Sequence, residues 1–444
     1  MGRNKLFSMV LAAALTAGTL AGCSSSDKKP KLEDVTITVL VQDQGSNPLG
    51  TQLNALLDNS KRFVEEQNPG LTVNVVRVAG TQYADQIQEL NPDIYWFMPS
   101  ELTMPQNAGK WYDLNPLLEQ ANVDITQYFP INLLDMTVAD GKLLGIPLAA
   151  YNMTVAYSKS WFSNAGLEEP RPNWTWEEFE SDAIALHEAN GQNSNFAYGA
   201  SIPLYPEYIE SIVLSRGGSF LSPDGKQASG FVDGPVTVDT MTWLKGLSDK
   251  GILDPAPSGD LSMLGKTKGM EVSVTPVISN IMLSNSDIGV VPLPSLNGDS
   301  LSSAPYVTAF GINSSSPNPD AALKYIIALT MEDNEITRQA YQIGMSISKE
   351  VFENSGAADN PSLAVDYQLL PYSQQRAVMH SSGWAEAMGF YSNHFMFMMQ
   401  DDVSELAPAL QEIAQGIDAT LAELREKDEN EAAVAGISEA ETSE

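Results

Sequence analysis

The sequence predicts an α/β protein of two domains built around parallel sheet. Three observations carry this expectation. Strand-length apolar runs alternate with helix-periodic segments through the first hundred residues, and such a βαβαβ order implies a parallel sheet with covering helices. Of the 444 residues, 43% are hydrophobic, enough to fill large cores. The chain is also longer than one hydrophobic core usually supports, which makes two domains the expectation.

The β-branched run "VTITVLV" (Val35 to Val41) suits a buried strand. Leu53, Leu56, Leu57, Phe63 and Val64 then recur at helical spacing, until Asn68-Pro69-Gly70 ends the helix with turn residues. "LTVNVVRV" is a second strand, "TQYADQIQEL" a short helix and "PDIYWFM" a third strand. Ligands of such sheets bind beyond the carboxyl ends of the strands. Gln44, Gly45, Tyr83 and the stretch Trp96 to Glu101 follow or flank those ends.

"KWYDLNPLLEQANVDITQYFP" contains a helix, and "DGKLLGIPLAAYNMTVAYSKSWFSNAGL" reads as a turn, an apolar strand pair and a helix. In "NWTWEEFESDAIALHEAN", Thr175 caps a helix with Glu178 three residues on. Trp176, Phe179, Ala183, Ile184 and Leu186 form its apolar face. "PVTVDTMTWLKGLSDKGIL" is a further helix and "IGVVPLP" a strand. "YVTAFGINSSSPNPDAALKYIIALT" is a strand, a turn and a helix, and the pattern is mostly helical from there to Lys427. Glu426 to Glu444 is acidic and poor in large apolar residues, which predicts a frayed or disordered tail, so 427–444 is set apart.

The amino terminus has its own logic. Arg3 and Lys5 precede an uncharged, Ala- and Leu-rich stretch ending at Gly22, the pattern of an export signal. Leu20-Ala21-Gly22-Cys23 resembles the bacterial lipobox. That resemblance implies removal of residues 1–22, a diacylglyceryl thioether on Cys23, and residues 23–34 as a polar tether. More than one acyl chain gives stable attachment, so the expected location is the extracytoplasmic side of the cell membrane. An ordinary secretory signal containing a cysteine is the alternative. Cys23 is the only cysteine, which excludes an intrachain disulfide and a cysteine-ligated zinc. The net charge of −32 repels nucleic acid and anionic headgroups, and it favours neutral or cationic ligands over anionic ones.

Four stretches then resemble one family in the right order. They are "GKWYDLNPLLEQANVD", "DGKLLGIPLAAYNMTVAYSKSWFSNAGLEEPRPNWTWEEF", "LSRGGSFLSPDGKQASGFVDGP" and "GINSSSPNPDAALKYI". With the lipobox they resemble the extracellular solute-binding proteins of ABC importers, the family of maltose-binding protein. The resemblance implies the type II periplasmic-binding-protein fold, with two discontinuous α/β lobes, a hinge and a central ligand cleft. Carried over, the first lobe is 35–149 plus 290–329 and the second 150–289 plus 330–426. The crossings then fall near Ala149-Ala150-Tyr151, Ile288-Gly289-Val290 and Leu329-Thr330. The chain departs from the family at "GKTKGMEVSVTPVISNIM", where a cleft tryptophan is common and none is present.

Binding a neutral polyol needs flat apolar surface for ring C–H faces and planar polar groups for hydroxyls. The candidates are Gln44, Tyr83, Trp96, Glu101, Tyr151, Asn152, Arg216 and Tyr306, with Trp384 added because the family often sends an aromatic into the cleft from its C-terminal helices. Each has a plainer reading: hinge packing for Tyr151-Asn152, strand core for Trp96, a surface ion pair for Arg216. Trp161, Trp174, Trp176 and Trp243 read as packing residues, and Trp111 belongs to a structural motif. His187, His380 and His394 are far apart and fit no metal or catalytic spacing, and neither a Gly-x-Ser-x-Gly elbow nor a Walker loop is present. No cofactor or metal is expected. The function expected is that of a lipid-anchored monomer that captures a carbohydrate, an oligosaccharide by first choice, and delivers it to an ABC permease. A secreted glycan-acting enzyme and a transport-inactive sensor or scaffold are the alternatives.

Overall fold

A computed structural model describes residues 34–441 except 44, 46–47, 80–81, 104–108, 191–196, 256–258, 299–300, 302, 343–347, 382, 392–393 and 400–401. The expected signal, Cys23 and all of the tether before Asp34 lie outside the described residues, as does Gln44. Eleven strands are described: β1 (Val35–Gln42), β2 (Leu71–Val78), β3 (Ile94–Phe97), β4 (Val138–Ala139), β5 (Lys142–Leu143), β6 (Ile146–Tyr151), β7 (Met153–Ser158), β8 (Tyr198–Ser201), β9 (Lys268–Val274), β10 (Ile288–Pro292) and β11 (Tyr306–Ile312).

Two main sheets hold nine of them, and β4 pairs with β5 in a separate two-stranded sheet. The first runs β2-β1-β3-β11-β6. β1 is parallel to β2 and β3, with Val39 opposite both Val75 and Ile94. β11 lies antiparallel between β3 and β6. The second sheet runs β10-β7-β9-β8, with β7 antiparallel to both neighbours and β8 parallel to β9. The parallel expectation therefore describes β1 to β3. In each sheet one strand runs the other way, because the chain re-enters from the opposite lobe there.

Each sheet has its own core. Leu53, Leu56, Leu57 and Val64 of helix Pro48–Gln67 pack with Ile37, Val39 and Val73 in the first. In the second, Trp161, Trp174, Trp176 and Phe179 are buried, and Trp243 meets Trp176 edge-on at 5.5 Å. Thr175 and Glu178 close the expected capping box. Thr175 Oγ1 accepts from the Glu178 amide at 3.1 Å, and Glu178 Oε2 accepts from the Thr175 amide at 2.7 Å. Helix Trp176–Asn190 then lays Ala183 against β8 so closely that a Cβ on Gly199 would stand 1.8 Å from the Ala183 carbonyl oxygen. Backbone cannot yield as a flexible side chain does. Gly199→Ala is expected to destabilise the protein by about 1–3 kcal/mol or more, read from a urea midpoint.

The boundaries differ from expectation in three places. Residues 290–292 belong to β10, which pairs with β7 in the second sheet, because the whole apolar run Ile288–Pro292 forms one strand. The expected return to the first lobe at Val290 is thus displaced to the segment before β11. After Thr330, helix Glu335–Gln342 still packs on the first lobe: Ile336 and Ala340 enter that core, and Asn59 Nδ2 donates to Gln339 Oε1 at 2.9 Å. Finally, one helix spans Leu406–Glu441, so 427–441 continue it and do not form a frayed tail. Its Ala and Glu content explains this, since both are strong helix formers. No helix among the described residues is long and apolar enough to cross a membrane.

Candidate functional site

The carboxyl ends of β1, β3, β6 and β9 converge on one cavity of about 590 Å³. That size falls in the range of about 300–1,000 Å³ usual for small-molecule sites. The first lobe contributes Trp96, Phe97 and Met98 at the end of β3, Glu101 on the turn Pro99–Thr103, and Tyr83 at the start of helix Tyr83–Leu90. Tyr306 and Thr308 of β11 and Tyr151 of β6 form the side nearest the lobe junction. The second lobe contributes Glu207 and Tyr208 from helix Pro206–Ser215, with Met153, Val274 and Pro276.

Burial shapes each polar group. The Tyr83 hydroxyl is shared between the carbonyls of Leu40 and Trp96 and accepts from the Trp96 amide at 3.0 Å, which ties the helix to the strand end. Burial, reinforced by the nearby Glu101 charge, holds its phenol protonated well above the usual range. Burial also pushes the Glu101 carboxyl up to about 7, opposed by the Met98 amide, which donates to Oε1 at 2.9 Å. The Tyr208 phenol rises to about 12, again through burial first, with a hydrogen bond to Ser273 opposing. Thr308 Oγ1 is buried with no hydrogen-bond partner among the described residues.

Five of the sequence candidates thus meet at this cavity: Tyr83, Trp96, Glu101, Tyr151 and Tyr306. Three do not. Asn152 is 2% exposed and sits between β6 and β7. Its Nδ2 donates to Asp366 at 2.6 Å and its Oδ1 accepts from Ser303 at 2.8 Å, so it fastens the crossing between lobes. Arg216 pairs with Asp239 at 2.7 Å and lies over the Trp243 ring at 5.0 Å, outside the lining. Its place at the end of helix Pro206–Ser215 makes it a second-lobe packing residue. Trp384 is half-buried against Phe220 at 6.3 Å in the second-lobe core, outside the cavity lining.

The sequence did not single out Glu207, Tyr208 or Arg376. Val274 and Pro276 occupy the segment where the resemblance led one to look for a tryptophan, and Tyr208 supplies the second-lobe ring instead. The signal that could have found it is "LYPEYIES", a helix that opens on proline after a capping tyrosine and carries a glutamate and a second tyrosine in its first turn. Arg376 lies beneath the cavity, 1% exposed beside Glu210 at 2%. Its guanidinium stands 3.9 Å from the Tyr306 ring centroid and bonds Glu210 Oε2 at 2.5 Å, the Ala304 carbonyl at 2.7 Å and Ser211 Oγ at 2.8 Å. It therefore joins a strand of the first sheet to a helix of the second lobe, and sets the angle at which Tyr306 faces the cavity. Among the described residues no cluster of three or more His, Cys, Asp or Glu is placed to hold a metal ion.

Residues 45–336 match the model of the family described as bacterial extracellular solute-binding protein. A putative binding protein of Brucella abortus (strain 2308) is 24% identical over 394 residues, 85% of this chain and 91% of its own length. The diacetylchitobiose binding protein DasA of Streptomyces coelicolor is 26% identical over 278 residues, 60% of this chain and 61% of its own. Among solved structures, the sugar-binding protein MalE from Xanthomonas citri superposes with a TM-score of 0.72 at 17% identity, covering 89% of this chain and 99% of that one. The ABC substrate-binding protein Lmo0181 from Listeria monocytogenes, in complex with cycloalternan, gives 0.69 at 20% identity, covering 87% and 99%. The fold is the two-lobe one of these binding proteins, and the chain belongs to the bacterial extracellular solute-binding protein family.

Proposed function

We propose that this member of the solute-binding family captures a carbohydrate in the cavity between its lobes and presents the closed complex to an ABC permease. Cys23 is the residue that would carry the lipid anchor and keep the receptor on the extracytoplasmic side of the membrane. The observation that carries the reading is the wall itself: Trp96, Tyr83, Tyr151, Tyr208 and Tyr306 line the cavity from both lobes, together with Glu101, Glu207 and Thr308. Stacked rings bind the C–H faces of a sugar, and polar groups among them select its hydroxyls. A ligand that touches both lobes only when they close shifts the population toward closure. Hinge motion of this kind is absorbed by a few residues at the crossings.

A glycan panel read by thermal shift and calorimetry tests this. One glycan should raise the melting temperature and bind saturably without turnover. Trp96→Ala should weaken that binding about tenfold or more, the loss expected when a stacking aromatic is truncated. Turnover of the glycan would favour the enzyme alternative, and a panel without any shift would favour a sensor or scaffold role.

A further inference from the structure

The two walls of the cavity differ in kind. On the first-lobe side stand Gln42 at the end of β1, Glu101 on the turn Pro99–Thr103 and Thr308 on β11. The second lobe meets them with Met153, Val274, Pro276 and Tyr208, and its lining carboxyl, Glu207, is exposed to solvent. Met153 and Val274 are direct cross-strand partners on β7 and β9, and Pro276 follows two residues on, so the three form one aliphatic patch.

The polar groups around that patch are already engaged. The Thr275 amide and hydroxyl both donate to the Asn152 carbonyl at 3.3 Å, and the Tyr208 amide donates to the Tyr205 carbonyl at 3.0 Å. The Tyr208 hydroxyl is hydrogen-bonded to buried Ser273, and a proline has no amide proton to offer. A sugar hydroxyl that leaves water without finding a new partner costs free energy. A wholly hydroxylated oligosaccharide closed between these walls would press hydroxyls against Met153, Val274 and Pro276. An apolar group at the same place gains from leaving water, in proportion to the area covered. The first-lobe side keeps its polar groups beside Trp96 and Tyr83, a place for a sugar ring.

We infer that the cavity takes a saccharide with an apolar aglycone, its sugar ring on the first-lobe side and its aglycone on the patch of Met153, Val274 and Pro276. This inference rests on the carbohydrate-capture reading above and names the ligand class within it. Because the sugar contacts belong to one lobe and the patch to the other, a ligand with both parts spans the cleft and favours closure.

Matched glycosides test it: methyl, hexyl and phenyl derivatives of glucose, galactose, maltose and cellobiose, in both anomeric forms. Calorimetry on the mature protein should find a hexyl or phenyl glycoside binding about tenfold or more tighter than its methyl counterpart, with a more negative heat-capacity change. Val274→Thr sets a hydroxyl in place of a methyl at nearly constant volume, and Met98→Gln does the like on the facing lobe. Each should shrink the ratio of hexyl or phenyl to methyl affinity several-fold, while circular dichroism and melting show an intact fold. If a methyl glycoside or free sugar binds as tightly as its hexyl and phenyl counterparts, the aglycone inference fails and carbohydrate capture stands. The same holds if some other glycan shifts the melting temperature while no hexyl or phenyl glycoside binds. If no glycoside binds and no glycan shifts the melting temperature, carbohydrate capture fails with it. Hexanol or phenol binding as tightly as the glycosides would overturn both.

Discussion

Arg376→Ala should cost about 3–5 kcal/mol of folding free energy, the loss expected when one partner of a buried ion pair is removed. The side chain is 1% exposed and makes four polar contacts, to Glu210, Ser211, Ala304 and the Tyr306 hydroxyl. Its absence leaves the Glu210 carboxylate, 2% exposed, without its charge partner. Burial already raises the Glu210 pKa, and the Arg376 charge is the main force opposing that rise. The lone glutamate would have to stay charged in a dry site or take up a proton, and either costs free energy. Urea unfolding of Arg376→Ala, Glu210→Gln and the double variant forms the test. The double variant should recover much of the loss, because it removes the buried charge along with its partner. A stability for Arg376→Ala within about 0.5 kcal/mol of the parent, the range of ordinary surface substitutions, would mean that water reaches the pair. Ligand affinity should fall as well, since Tyr306 leans on the guanidinium from the cavity side.

What could be read in the sequence follows from the range of the forces involved. The βαβαβ run of the first lobe was legible because propensity, period and turn residues agree from Val35 to Phe97. So was the Thr175–Glu178 capping box, whose two hydrogen bonds span four residues. Strands β8 and β9 were not. β8 is four residues long, and β9 carries Lys268 and Glu271, charges that a sequence pattern assigns to the surface. They are buried because they pair with each other. At the site, strand-end position picked out Tyr83, Trp96 and Glu101, a rule that depends on local order alone, and the lobe crossing implied by the family resemblance picked out Tyr151. It failed for Asn152, which sits one residue from the cavity yet turns toward Asp366, 214 residues away. It failed also for Arg376, whose partners Glu210 and Ala304 lie 166 and 72 residues distant. No local pattern records a contact between segments that meet only once the whole chain has folded.

The protein should be most stable under mildly acidic conditions and lose stability as the pH rises toward neutrality. Asp366 is the main reason. It lies on helix Pro361–Leu369, and its Oδ1 accepts from the Asn152 amide at 3.3 Å and from Asn152 Nδ2 at 2.6 Å. Burial pushes its carboxyl up to about 7, against the hydrogen bonds that favour the ionised form. In the unfolded chain the same group titrates at about 3.9. Below that value both states hold the proton and the stability of the neutral buried acid is fully present. As the pH climbs from about 4 to about 7 the unfolded chain releases the proton first, so stability falls through this window and levels off above it. The folded and unfolded values differ by about three units, which corresponds to on the order of 4 kcal/mol. Glu101, raised by burial to about 7, and Asp182, raised by burial to about 6, slope the same way. Asp366→Asn keeps an acceptor for Asn152 and cannot ionise. Urea titrations should find it equal to the parent near pH 4 and more stable by a few kcal/mol near pH 8, with a flatter profile between. Parallel profiles for the two proteins would show that Asp366 does not titrate across this window. Because Asp366 holds the residue between β6 and β7, the charge that costs stability is placed at the joint about which the lobes close.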